Sequence, residues 1–199
     1  MTDSYYRCDV VEGLKLLMIS GIILLVSDIG GMFAVHVPFQ VVMALAAIVA
    51  LVIQYIGLKR LAYAGKGYGH AYKLAIAVLV FAIVSSIIFV VQGSDGLPDS
   101  IGIASTGIRC LILYCITRET NSKITDEKAQ KRGRNAVAAY VISLFIYAII
   151  CALPGLMSFI SQNITLAVIV ALVIFAAEGV PVILYITYLA RARKAIPEE

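Results

Sequence analysis

Three ionisable side chains interrupt otherwise apolar stretches of this sequence: Asp28, Arg109 and Glu178. A charge near the middle of a membrane costs at least ~2.5 kcal/mol, so such groups turn inward, pair, or line an aqueous path. Counted from the basic end of each stretch at 1.5 Å per residue, Arg109 lies about 12 Å deep, Glu178 about 16 Å and Asp28 about 21 Å. A chain Arg109–Glu178–Asp28 forms if the first, fourth and sixth stretches face a common interior. It would serve as a polar relay or substrate contact, or as an ion pair that fixes helix register.

Pro181, three residues after Glu178, adds a second feature. Proline has no amide hydrogen, so in a helix it leaves the carbonyl of Ala177 without its bond and favours a kink. Freed carbonyls in membrane helices can become ligands. Asp28, Arg109, Glu178 and Pro181 are therefore the candidate substrate or ion pathway. Small residues beside them, Ser27, Gly30 and Gly31 on the first stretch and Gly102, Ser105, Thr106 and Gly107 on the fourth, point to close helix packing.

Other chemistries lack their residues. No H-E-x-x-H pair and no G-x-S-x-G elbow occurs, and the two histidines, His36 and His70, fall on opposite sides of the expected membrane. Gly65-Lys66-Gly67 lacks the spacing of a phosphate loop. Cys110 and Cys115 do not form a C-x-x-C motif, and a buried cysteine acts as a small apolar residue. The sequence thus suggests no catalytic residue, no metal, no cofactor and no nucleic-acid partner.

The elements that hold these residues follow from hydropathy. Of 199 residues 61% are apolar and 14% charged, and the charges sit in short blocks. Six apolar runs stand out, at about 13–33, 38–58, 72–92, 100–117, 136–153 and 164–189. Each reaches the ~17 residues that cross ~30 Å as a helix. The fourth, with Ser105, Thr106 and Arg109, is the weakest. The chain opens with Asp3, Asp9 and Glu12 before a long run, so the first stretch reads as a retained helix rather than a secretory signal.

Basic residues fix the expected orientation. Of 16 Lys and Arg, all but Arg109 fall around the two termini and the second and fourth loops. The positive-inside rule then places both termini in the cytoplasm and requires an even number of spans. Ten tyrosines, Tyr5, Tyr6, Tyr55, Tyr63, Tyr68, Tyr72, Tyr114, Tyr140, Tyr185 and Tyr188, gather at the same ends, where an aromatic belt is expected. The segment Glu119–Arg134, of mixed charge, either extends the fourth or fifth helix or forms a solvated loop.

A faint internal repeat is visible in Gln54-Tyr55, Leu113-Tyr114 and Leu184-Tyr185, each followed by basic residues. It fits a triplicated helical hairpin, and equally the general likeness of apolar helices. The expected fold is all-α: a polytopic membrane protein, a six-helix transmembrane bundle of three helical hairpins, forming a single domain. The expected place is the plasma membrane. The expected function is small-solute transport, or the substrate-binding membrane subunit of a transporter. The alternatives are a non-catalytic scaffold or sensor that docks a protein through loop 119–134, and an intramembrane enzyme.

Overall fold

The computed structural model describes residues 2–32, 37–92, 99–152 and 164–196; within them the side chains of residues 2–8, 81–92 and scattered others, Asp28 and Glu178 included, lie outside the description. Six helices account for nearly all of it. They are α1 (Thr2–Met32), α2 (Val37–Leu61), α3 (Lys66–Gln92), α4 (Asp99–Asn121), α5 (Glu127–Ala152) and α6 (Ile164–Ala195), and no strand occurs among the described residues.

The helices form a closed ring. The closest packing is within the hairpins α1/α2, α3/α4 and α5/α6, and α2/α3, α4/α5 and α6/α1 join them edge to edge. Small residues set the close approaches. A Cβ on Gly13 would stand 2.6 Å from the Leu61 side chain, and one on Gly21 would stand 3.2 Å from Ile186, tying α1 to α2 and to α6. The expected seam beside Asp28 is borne out at Gly30, where a Cβ would meet Met43 Sδ. At Gly107 it would meet nothing within 4 Å, and Gly102 and Ser105 of the expected α4 seam lie outside the described side chains.

Three helical stretches, Asp9–Ser27, Val41–Leu61 and Val168–Ala195, are long and apolar enough to cross a membrane among the described residues, against six expected. The apolar half of α3, residues 81–92, lies outside the described side chains, and α4 carries Asp99, Arg109, Arg118 and Glu119 in its 23 residues. Within these three stretches 13–33% of residues are buried inside the protein. Large apolar side chains point outward instead, Leu45, Ile48 and Val52 on α2 and Ile169, Leu172 and Val173 on α6 among them. Apolar faces this extensive are what a lipid environment covers.

The well-packed core sits at one end of the ring, where α1, α3 and α5 begin and α2, α4 and α6 end. Leu14, Leu58, Leu61, Tyr68, Ile116, Ala129, Tyr188 and Leu189 are fully or almost fully buried there. Arg60 of α2 pairs with Glu12 of α1 at the rim. The α4–α5 connection settles the segment Glu119–Arg134: α4 runs on to Asn121, α5 starts at Glu127, and a short turn joins them. Asp126 is the N-cap of α5. Its Oδ1 accepts from the amides of Lys128 (2.8 Å) and Ala129 (3.2 Å), and its Oδ2 accepts from Arg191 Nε on α6 at 2.9 Å. The Arg191 hydrogen bond, helped by the two amides, holds the Asp126 carboxyl below its usual range against the opposing effect of desolvation.

Candidate functional site

The buried end of the ring is built around hydroxyl groups. Tyr68 of α3 and Thr120 of α4 share a hydrogen bond of 2.8 Å between their hydroxyls. Tyr188 reaches from α6 to α4, donating to Asn121 Oδ1 at 3.0 Å, with the Thr117 carbonyl at 3.4 Å. Gly133 of α5 makes room for that ring, since a Cβ there would stand 2.7 Å from Tyr188 and 2.8 Å from Thr117. Thr117 Oγ1 and the Tyr185 hydroxyl are buried with no hydrogen-bond partner among the described residues. Buried hydroxyls normally find one, so this interior suits a polar guest such as water.

The sequence therefore misplaced part of its aromatic belt. Tyr63 and Tyr114 are exposed, at 86% and 47%, as a belt requires, but Tyr68, Tyr185 and Tyr188 are buried in the ring. Tyrosine suits either place because it is apolar along its ring and polar at its tip. The partners Thr117, Thr120 and Asn121, spaced along the inner face of α4, were the legible clue. The three tyrosines of the internal repeat do not share an environment: Tyr55 is half-buried and bonds Tyr72 at 2.6 Å, Tyr114 is exposed and Tyr185 is buried.

Arg109 lies deeper along α4. At 100° per residue it falls about 40° from Leu113, and Thr120 about 20° from it. Leu113, Ile116, Thr117 and Thr120 on this face are buried, yet Arg109 is exposed. The inner face of α4 is thus packed at the basic end and open by the level of Arg109. Arg109 makes no ion pair among the described residues. The side chains of Asp28 and Glu178, its expected partners, lie outside the described residues, as does the chain of contacts proposed to link them.

Pro181 is buried inside α6, which continues through it as one helix of 32 residues. The Ala177 carbonyl, four residues before the proline, has a partner from another helix. Ser143 of α5 points its hydroxyl at that carbonyl (2.5 Å) and at its own Ala139 carbonyl (2.9 Å). One proton serves both, and Ala177 lacks the competing helical amide, so the interhelical bond is favoured. We expect Ser143→Ala to destabilise the chain by about 1 kcal/mol, the worth of one hydrogen bond. In a Pro181→Ala background, where the substitution restores the backbone amide, the same change should cost much less. Equal losses in both backgrounds, measured by thermal unfolding in detergent, would show that Ser143 does not serve the orphan carbonyl.

Two features escaped the sequence reading. Glu119 folds against the α2–α3 turn, its Oε2 accepting from the Gly67 amide at 3.0 Å, with Lys123 Nζ 3.6 Å from Oε1. A Cβ on Gly65 would fall on Glu119 Oε1, so the Gly65-Lys66-Gly67 stretch is shaped for a carboxylate of the chain itself. The second is Ser143, which reads as an ordinary small residue until α6 is placed beside it. No group of three or more His, Cys, Asp or Glu is gathered for a metal among the described residues.

No protein-family model matches the chain, and neither does any curated protein or solved structure.

Proposed function

We propose that this chain is a six-span membrane protein whose ring of helices binds or moves a small solute. Both termini and the α2–α3 and α4–α5 connections face the cytoplasm of a cell bounded by the plasma membrane it occupies. The observation that carries this reading is Arg109: a fixed cation on the inward face of α4, exposed where the same face one turn on is buried. A guanidinium open to the ring interior favours a solute with negative charge, which it can hold through paired hydrogen bonds. Asp28, Glu178 and Pro181 belong to the same path in this reading, and the buried hydroxyls of Thr117 and Tyr185 line its inner end. The one-sided distribution of Lys and Arg supplies the orientation.

A scaffold role has its own support. Lys128, Lys131, Arg132 and Arg134 are exposed on the first turns of α5, next to a firmly hydrogen-bonded turn, as a docking surface for an acidic protein would be.

Thiol labelling separates these readings. In a chain with its four cysteines replaced by alanine, Arg109→Cys should react with a charged, membrane-impermeant thiol reagent in liposomes. Leu111→Cys should not, because Leu111 is 53% exposed on the opposite, outward face of α4. An unreactive Cys at position 109 would end the aqueous-path reading. Reaction at both positions would mean that α4 does not lie in a bilayer.

A further inference from the structure

We propose that the outward face of α3 carries a binding site for an anionic phospholipid of the cytoplasmic leaflet. An open groove of about 430 Å3 lies at the α2–α3 turn, lined by Ala62, Tyr63, Gly65, Lys66, Gly69, His70 and Lys73. It holds two lysines and a histidine and no carboxylate. Neither Lys66 nor Lys73 makes an ion pair among the described residues. The nearby acid, Glu119, is already engaged by the Gly67 amide and Lys123.

The register of α3 says which way these side chains face. Tyr68 and Ala71 are buried in the ring. Lys66, His70 and Lys73 lie about 140–160° round the helix from Tyr68, on the side away from the ring. The three are spaced i, i+4 and i+7, so they form one stripe. Further along α3 the same side carries Val80, 52% exposed, with Ile76 at its margin, 38% exposed. A row of two lysines and a histidine thus runs directly into an exposed apolar surface. That sequence of surfaces matches one molecule: a phosphate headgroup against Lys66, His70 and Lys73, and acyl chains against Ile76 and Val80.

The level fits as well. The apolar stretch of α2 ends at Leu61, and the groove begins at Ala62. Tyr63 beside it is 86% exposed, with its ring placed for the headgroup layer. A soluble phosphate would gain nothing from the apolar continuation, whereas a lipid is held at both ends. The inference rests on the cytoplasmic orientation proposed above and not on any solute.

The test is native mass spectrometry of the full chain in mild detergent with dioleoyl phosphatidylglycerol or dioleoyl phosphatidylcholine. The unaltered chain should retain phosphatidylglycerol in preference. Lys66→Gln with Lys73→Gln should weaken that retention about thirtyfold, at about 1 kcal/mol per lysine. Lys128→Gln with Lys131→Gln, equal in charge and also exposed, should leave it unchanged. Equal losses from both pairs, or none from either, would overturn the site. Displacement of the lipid by inorganic phosphate at matching concentration would also overturn it, in favour of a phosphate site. Failure of the solute reading would appear in the labelling of Arg109 and leave lipid retention intact.

Discussion

Tyr188→Ala is expected to destabilise the folded chain by about 3–5 kcal/mol, the range for truncating a large buried aromatic side chain. Tyr188 is fully buried where α4, α5 and α6 meet, with its ring against Gly133 and Thr117. Its removal would leave a void among groups already held apart by other contacts. It would also leave Asn121 Oδ1 without the hydroxyl that donates to it. Tyr188→Phe keeps the ring and loses only that bond, so about 1 kcal/mol is expected. Gly133→Ala should act from the other side, forcing a methyl group to within 2.7 Å of the same ring. Thermal unfolding in detergent, followed by circular dichroism, is the measurement. Tyr63→Ala is the control, since Tyr63 is 86% exposed. If Tyr188→Ala is no more harmful than Tyr63→Ala, Tyr188 does not anchor the basic end of the ring.

The second large effect is a coupling. Gly65→Ala places a methyl group on top of the Glu119 carboxylate, which must swing away and give up the Gly67 amide. The end of that side chain can swing aside, so the cost is the bond it gives up, at most about 1.5–3 kcal/mol. Glu119→Ala removes the same charge-assisted bond directly, at about 1.5–3 kcal/mol. With Glu119 already truncated, the three atoms nearest to the methyl at position 65 are gone, so the double variant should be little worse than Glu119→Ala alone. Strictly additive losses would mean that the glycine and the carboxylate act independently, against the geometry. The backbone at Gly65 has no left-handed conformation to protect, so space alone decides the outcome.

Several parts of this architecture were readable from residue order. Six apolar runs gave six helices, and three of them are long and apolar enough to cross a membrane among the described residues, where a backbone removed from water would bond to itself within the helix. The end of the ring that carries the cations was legible in Lys59, Arg60, Lys66, Arg118 and Lys128, spaced on either side of apolar runs. Pro181 announced the orphan carbonyl of Ala177, since the missing amide is a property of the residue itself. The sequence also singled out Arg109 as a charge that needs explaining.

What it could not assign was facing. In water, polarity tells the outer side of a helix from the inner; against lipid both sides are apolar, and the helical period loses its meaning. Leu45 and Leu58 on α2 are the same residue type, one 56% exposed and the other fully buried, and only the packing of α1 against α2 separates them. The burial of Tyr188, the seat of Glu119 beside Gly65 and the hydroxyl that Ser143 brings to Ala177 each join residues more than thirty positions apart. Ring closure through α1 and α6 joins the two ends of the chain. Such pairings depend on which helices become neighbours, a choice made by small residues at close crossings and by shape across the whole ring.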